Sequence, residues 1–428
     1  MKQADAGKPG QGNLSPGLEG RWIFYYALFM QSVKPKRSLV FIIFANMIIL
    51  GFLNSMRGVS FPLIKNNFGV SYNNMGLLGA LLSFSAVFFC IVSSIFMNRF
   101  GIKKTIIAAS MLVIAGAGSL FFASFFLVTV VFFIILQAGF GFFEISLNGS
   151  GVKFFTVKSG LMLNLLHFFY GVGAIAGPRF MGFMVNHQNL NWQEVYPLTL
   201  VPAFIMLFIT LSVRFPQGNP VPQPHAEDSK TQSPSKVPSF WDMLKNPMVW
   251  LFGITIGLAG GMEGCSVSWS GLYLQDVYGL DPTVTGAAFL SLFYILYTAS
   301  RFISGFIMEK TGYMRSTIVS GFAIIILFTA GFGLGRNGIY VLPVAGFFIA
   351  IMWPTVLAIS AGFFREHAQT ASSAMICIAF SLGGLIQYSS GLLNRFLGAA
   401  WGYRSCILYS LILVILLLAV RRKTHVAT

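Results

Sequence analysis

Twelve separate stretches of about 20 or more apolar residues run along this chain, each long enough to cross the roughly 30 Å hydrocarbon core of a bilayer. Lipid offers no water to bond backbone N–H and C=O groups, so each stretch must close its own hydrogen bonds as a helix. The fold class that follows is an all-α membrane protein. The approximate spans are 39–62, 75–97, 104–123, 126–150, 160–186 and 194–213, then 247–275, 283–307, 315–335, 338–360, 368–392 and 400–420. Between the two sets of six lies Pro216–Pro238, rich in Pro, Ser and charge, which reads as a flexible link. The expected organisation is a leader over 1–38, a six-helix bundle over 39–214, a link over 215–246, a second six-helix bundle over 247–420 and a tail over 421–428.

The two sets are internal repeats. FMNRFGIKKTI and IMEKTGYMRSTI stand 211 residues apart, at the same place in each set. In the first an apolar run ends at Asn98, followed by Arg99, Gly101 and Lys104; in the second it ends at Glu309, followed by Lys310, Gly312 and Arg315. Repeats of this kind pack about a pseudo-two-fold axis and leave a solute site between them near the bilayer midplane. The duplication implies a transporter.

Composition closes off the alternatives. With 56% hydrophobic and 9% charged residues, the chain cannot make a soluble surface. Its net charge of +16 is spread by loop, not gathered on one face. Lys34, Lys36, Arg37, Lys103, Arg214 and Lys245 are among the cations on one side, and only Lys65, Arg336, Arg395 and Arg404 fall on the other. The positive-inside rule then places both termini in the cytoplasm, and a plasma (inner) membrane location is expected, with lipid and no nucleic acid as partners. Cys90, Cys265, Cys377 and Cys406 sit in apolar spans without metal-ligand spacing, so no metal and no cofactor are expected. No nucleophile, base and orienting group occur together, so no enzyme is expected. A monomer is the expected working form. The patch Trp22–Met30 is too short to span; it reads as lying on the membrane surface, or translation starts at Met30.

Ionisable residues inside the spans cost at least about 2.5 kcal/mol at the bilayer centre unless paired or wet, so they carry the functional reading. Helix rise places Glu144 roughly 10 Å to the cytoplasmic side of the middle, with Asn148 one turn on. Asn164 and His167 in the antiparallel fifth span fall at about the same depth. These four are expected to face one another, with Glu144 and His167 as the proton-coupling pair, or to join two helices by hydrogen bonds alone. Arg57 falls roughly 10 Å to the outer side, with Asn54 one turn below it, and is expected to contact solute or reach the outer interface. Arg179 and Arg301 are expected to reach the interface.

Glu263 falls near the middle of the seventh span, where Gly260, Gly261 and Gly264 are expected to interrupt the helix. Trp269 follows it, and Trp353 with Pro354 lies near the middle of the tenth span. Aromatic rings beside an acid suit a sugar-sized solute, ring on apolar face and acid on hydroxyls.

The twelve spans with the repeated loop resemble the major facilitator superfamily from about Leu39 to Val420. The resemblance implies alternating access, with the two loops as conformational latches. The first copy departs from the pattern in having Ser94 and Asn98 where a Gly and an acid are usual. Within the superfamily, FEISLNG (Glu144, Asn148) followed by LNLLHFFYGVGAIAGP (Asn164, His167, Gly173) resembles the fucose:proton symporter group. That resemblance implies a sugar and a proton as cargo, with the carboxylate of Glu144 in coupling or sugar binding. Gly261 with Glu263 and Pro354 with Thr355 also match. The group's first-span Asp is absent, and Arg57 stands in its neighbourhood. Either Glu144 couples with His167 and Glu263, or the chain is a facilitator, or it carries a different, anionic solute. GVGAIAGPRFMG partly matches drug antiporters, so efflux is the rival; uptake is favoured because the expected cavity is polar.

Overall fold

The computed structural model describes residues 37–154, 159–215 and 239–426, with the side chains of 152–154, 159–164, 306 and 425–426 left aside. The readings made for Trp22–Met30 and Pro216–Pro238 lie outside the described residues. All regular structure among them is helical. In the first half these are α1 (Arg37–Phe68), α2 (Tyr72–Phe100), α3 (Ile102–Ser119), α4 (Phe126–Phe154), α5 (Ser159–His187) and the pair α6 (Trp192–Leu198) and α7 (Leu200–Ser212). A short α8 (Phe240–Leu244) precedes the second half. There α9 (Pro247–Ser268) and α10 (Ser270–Tyr278) form one crossing, followed by α11 (Ala287–Thr311), α12 (Tyr313–Gly333), α13 (Ala345–Phe364), α14 (Ala368–Leu397) and the pair α15 (Trp401–Arg404) and α16 (Cys406–Val426).

Eleven apolar segments are long enough to cross a membrane, and one of them, Gly335–Leu397, holds both α13 and α14. The break between these two is a tight turn at Arg365–His367, where Arg365 takes φ 47°. The described residues therefore make twelve crossings. The tenth starts later than its apolar run predicts: Gly335–Val344 winds as short 3₁₀ turns and α13 opens only at Ala345. Pro343 is the reason, since it has no N–H to give a helix and disfavours α geometry in the residue before it.

Helix pairing repeats from half to half. α1 packs on α5 and α9 on α14; α2 packs on α4 and α11 on α13; α3 packs on α4 and α12 on α13. Across the halves, α2 meets α14 and α11 meets α5. The α1–α5 seam is tight because α5 offers Gly173 to α1: a Cβ there would stand 2.0 Å from the Ile48 carbonyl oxygen. Phe88, Ile95, Phe208, Ile326 and Ile415 are exposed on the outside of the bundle, as a lipid-facing surface requires.

The halves touch at the end remote from the chain termini. Gly182 lies against Thr283 and Ala287, and Gly391 lies against Tyr72 and Gly76, the positions 211 residues earlier. Pro62 meets Gly271, and the Ser291 hydroxyl donates to the Ile175 carbonyl at 2.9 Å. Lys65 pairs with Asp276 at 3.4 Å, and the Tyr72 hydroxyl donates to the same carboxylate at 2.6 Å. Lys65 and Asp276 are themselves 211 residues apart. A two-fold axis brings equivalent positions near it together, and opposite charges there bond across it.

Candidate solute site between the two halves

Two polar clusters, one from each half, meet at the centre. In the first half Asn54 and Arg57 lie one turn apart on α1. The Arg57 guanidinium donates to the Asn54 carbonyl from Nε at 3.3 Å, to the Asn54 side-chain oxygen, and from Nη1 to Gln137 Oε1 on α4 at 3.1 Å. Asn54 Nδ2 in turn donates to the Tyr170 hydroxyl on α5 at 2.6 Å. In the second half the Tyr297 hydroxyl on α11 donates to Glu263 Oε2 on α9 at 2.9 Å, and Arg301 Nη2 donates to that hydroxyl at 2.6 Å. One turn of helix separates Tyr297 from Arg301, whose guanidinium lies 4.8 Å from the phenol ring centre.

The clusters face each other. Tyr170 lies within electrostatic range of Glu263, Arg57 and Glu144, and Tyr294 on α11 within range of Tyr170, Glu263 and Arg57. Thr298 of α11 packs directly on Gly171 of α5. Arg57, Glu263 and Arg301 are half-buried, so their heads open on the space between the halves. Among the described residues the ion pairs are Lys65–Asp276 and Lys245–Asp242, so neither central arginine touches a carboxylate.

Arg301 differs from its expected place. Depth along the helix predicts that it reaches the interface, yet the packing of α11 on α5 turns it inward, where its charge acts on Glu263, Glu144 and His167. Glu144 is half-buried and held by its own helix: Asn148 Nδ2 donates to the Glu144 carbonyl at 2.8 Å and to Oε1 at 2.9 Å. The expected Glu144–Asn148 face is present. His167 is half-buried on α5, and no hydrogen bond or ion pair joins it to Glu144 among the described residues. Asn164 is on α5, with its side chain outside those described.

The helix carrying Glu263 is not interrupted there. α9 runs unbroken to Ser268, and the break falls at Trp269. Its glycines serve close packing instead, Gly260 against the Trp353 ring and Gly261 against Ile386. Trp353 is half-buried, with its ring 5.5 Å from that of Phe380 and tilted 54° to it. Trp269 is 1% exposed and donates from Nε1 to Gln387 Oε1 at 2.8 Å, within the closed end of the bundle.

The repeated loops match in backbone detail. Gly101 and Gly312 take φ 83° and 84°, and their N–H groups cap α2 and α11 on the carbonyls of Met97 at 2.8 Å and Met308 at 2.9 Å. Arg99 and Lys104 lie over the Phe100 ring at 5.3 and 5.9 Å, and Asn98, Glu309, Lys310 and Arg315 flank the turns. No ion pair ties either loop to the opposite half among the described residues.

Sequence reasoning passed over Gln137, Tyr170, Tyr297 and the inward role of Arg301. A signal exists for α11: Tyr294, Tyr297, Thr298 and Arg301 recur at i, i+3, i+4 and i+7, a polar stripe on one face. Tyr170 continues the i, i+3 spacing of Asn164 and His167, whereas Gln137 is a single polar position in an apolar run and has no such signal.

Twelve helical crossings among the described residues, in two pseudo-symmetric halves with charged and amide side chains converging between them, define a membrane transporter. The sequence model of the Major Facilitator Superfamily matches residues 43–388, and the chain belongs to that superfamily, whose members are transporters and not enzymes. It is 20% identical over 271 residues to an uncharacterised MFS-type transporter of Yersinia pestis; the match spans 62% of this chain and 66% of that relative, just under two thirds of its length. By structure it is similar to a bacterial homologue of the human lysosomal transporter Spinster in its inward-facing, unoccupied conformation (TM-score 0.68, 15% identity, covering 91% of this chain and 98% of that one). It is also similar to the E. coli fucose:proton symporter FucP (TM-score 0.61, 16% identity, 90% and 99% covered).

Proposed function

We propose that the chain moves a small polar solute of sugar size through the plasma membrane by alternating access, in the same direction as a proton carried on Glu144. The observation that carries the reading is the meeting of Arg57, Asn54, Gln137 and Tyr170 from one half with Glu263, Tyr297 and Arg301 from the other. Groups this costly to place in a membrane interior earn their position by handling something polar. Closure at the end remote from the termini supports a state open toward the termini, which the distribution of Lys and Arg assigns to the cytoplasm. In that assignment the Lys65–Asp276–Tyr72 contact is the outer gate, and the loops at Gly101 and Gly312 are the inner latches, released in this state. Solute is held by Arg57, Asn54 and Glu263, with Asn148, Asn164 and Trp353 along its path. Trp269 acts in the outer closure beside it. His167 shares the Glu144 level as a second proton-handling group, and the working unit is one chain.

The test is internal pH in vesicles holding the purified protein, as monosaccharides, sugar acids and amphipathic cations are added outside in turn. Acidification that follows one solute and vanishes in Glu144→Gln is the expected result. Alkalinisation defines an exchanger and favours efflux, and tracer uptake without a pH change removes the proton from the mechanism.

A further inference from the structure

We infer that the solute is an organic anion, a polyhydroxylated carboxylate of about sugar size whose charged end is received by Arg57, and that it crosses with one proton so that loaded and empty carriers are both electrically neutral. This rests on the transport reading above and adds the charge of the cargo.

The cations between the halves differ in the company they keep. Lys65 has Asp276 at 3.4 Å. Arg301 reaches Glu263 through the Tyr297 hydroxyl, and Glu144 also feels its charge. Among the described residues Arg57 has neutral partners alone: the Asn54 carbonyl, the Asn54 side-chain oxygen and Gln137 Oε1. Its electrostatic neighbours are the phenols Tyr170, Tyr196 and Tyr294, and no carboxylate. These bonds use only part of the guanidinium's N–H fork, and they fix its plane from two helices. A planar, half-buried fork with unspent donors matches a carboxylate bidentately, and the amides of Asn54 and Gln137 with the Tyr170 hydroxyl stand ready for neighbouring hydroxyls.

Charge bookkeeping across the centre leads to the same cargo. The interior groups that carry formal charge are Arg57 and Arg301 against Glu144 and Glu263, with His167 counted as neutral. Facing Glu144 are Arg301 from α11, Tyr170 from α5 and Cys90 from α2, besides its own Asn148. With both carboxylates ionised the empty site is neutral. A proton on Glu144 leaves one positive charge in excess, and an anion beside Arg57 cancels it. A neutral sugar carried with the same proton would take a net charge through the membrane instead.

The experiment uses the purified full chain in liposomes, with D-glucuronate, D-galacturonate and D-gluconate as anionic probes and D-glucose, D-galactose and L-fucose as neutral ones. Uptake is driven either by a pH gradient or, at equal pH, by a potassium–valinomycin potential. The expected result is uptake of at least one acid with the pH gradient, unchanged within about twofold by the potential, and no competition from the neutral sugars. Arg57→Gln then raises KM for that acid about tenfold or more, the loss of a charge-assisted bond, while Arg57→Lys falls between the two. The wild-type comparison of gradient against potential stands even where a variant fails to fold. Uptake of a neutral sugar that quickens under an inside-negative potential overturns the anion and leaves the transport reading intact. Absence of flux and of binding for every acid also overturns it. Transport itself is then judged by the neutral sugars and amphipathic cations, whose failure in turn would bring down the broader reading as well.

Discussion

Gly101 caps α2 and Gly312 caps α11 with φ values one degree apart and with N–H bonds to carbonyls 211 residues apart, whereas the charges of the central solute site have no such counterparts. Counting 211 residues from Arg57 reaches Ser268; counting back from Glu263 reaches Phe52, and from Arg301 reaches Cys90. The scaffold is duplicated and its chemistry is not. A moving joint must do the same work in both halves, so its backbone geometry is held in both. A solute has no two-fold axis, so the side chains that meet it are free to diverge.

The seams sharpen this contrast with the largest expected effect. Gly173→Ala drives a methyl to 2.0 Å from a backbone oxygen of α1, while at Gly257 the nearest atoms to a new Cβ, including the Ala379 Cα and a Leu382 methyl, stand at 3.0 Å. Gly173→Ala should cost about 3 kcal/mol or more and Gly257→Ala about 1 kcal/mol, read as thermal unfolding in detergent. Equal losses would mean that the first-half seam yields as easily as the second. Next in size is Tyr297→Phe, which removes the one hydroxyl that bonds both Arg301 and Glu263. It should cost about 2 kcal/mol, against about 1 kcal/mol for Tyr170→Phe, whose hydroxyl accepts from a neutral amide. If Tyr170→Phe proves the costlier, the second-half cluster is not the charge-bearing one in its effect on stability.

The loops come next. Gly101→Ala and Gly312→Ala each force a side chain into backbone near φ 84°, with ψ 166° and 141°, a region that glycine alone enters freely. Each should cost about 1 to 2 kcal/mol, and the two losses should agree within about 0.5 kcal/mol. A larger gap would break the equivalence of the joints.

What the sequence yields and what it withholds divide along the same line. Apolar length is local, so the crossings are legible to within a few residues except where Pro343 delays α13. The loop glycines are legible because a repeat exposes them. Glu144 with Asn148 and Asn54 with Arg57 are legible because both members of each pair sit on one helix at one-turn spacing. Rotation about a helix axis is not local. Depth alone puts Arg301 near an interface, and only the packing of α11 on α5, through Thr298 on Gly171 and Ser291 on Ile175, turns it toward Glu263. The glycines beside Glu263 carry the same lesson. As residues they weaken a helix, but in place they let α9 approach α13 and α14, so the helix continues.

The smallest effect belongs to the gate that the axis itself creates. Lys65 and Asp276 occupy equivalent positions in the repeats, and each side chain is about one-fifth exposed, so their pairing should bias closure by only about 1 kcal/mol. Asp276→Lys places two like charges at that point and should shift the population toward opening at the far end by roughly fivefold. The readout is the distance between spin labels or the accessibility of single cysteines near Asn66 and Gln275. Because the two positions are related by the axis, the double exchange Lys65→Asp with Asp276→Lys should restore closure nearly in full. The exception is the Tyr72 hydroxyl, which then faces an ammonium and loses its carboxylate. Full restoration assigns closure to the ion pair; restoration by only half assigns the remainder to Tyr72, the residue that breaks the symmetry of the gate.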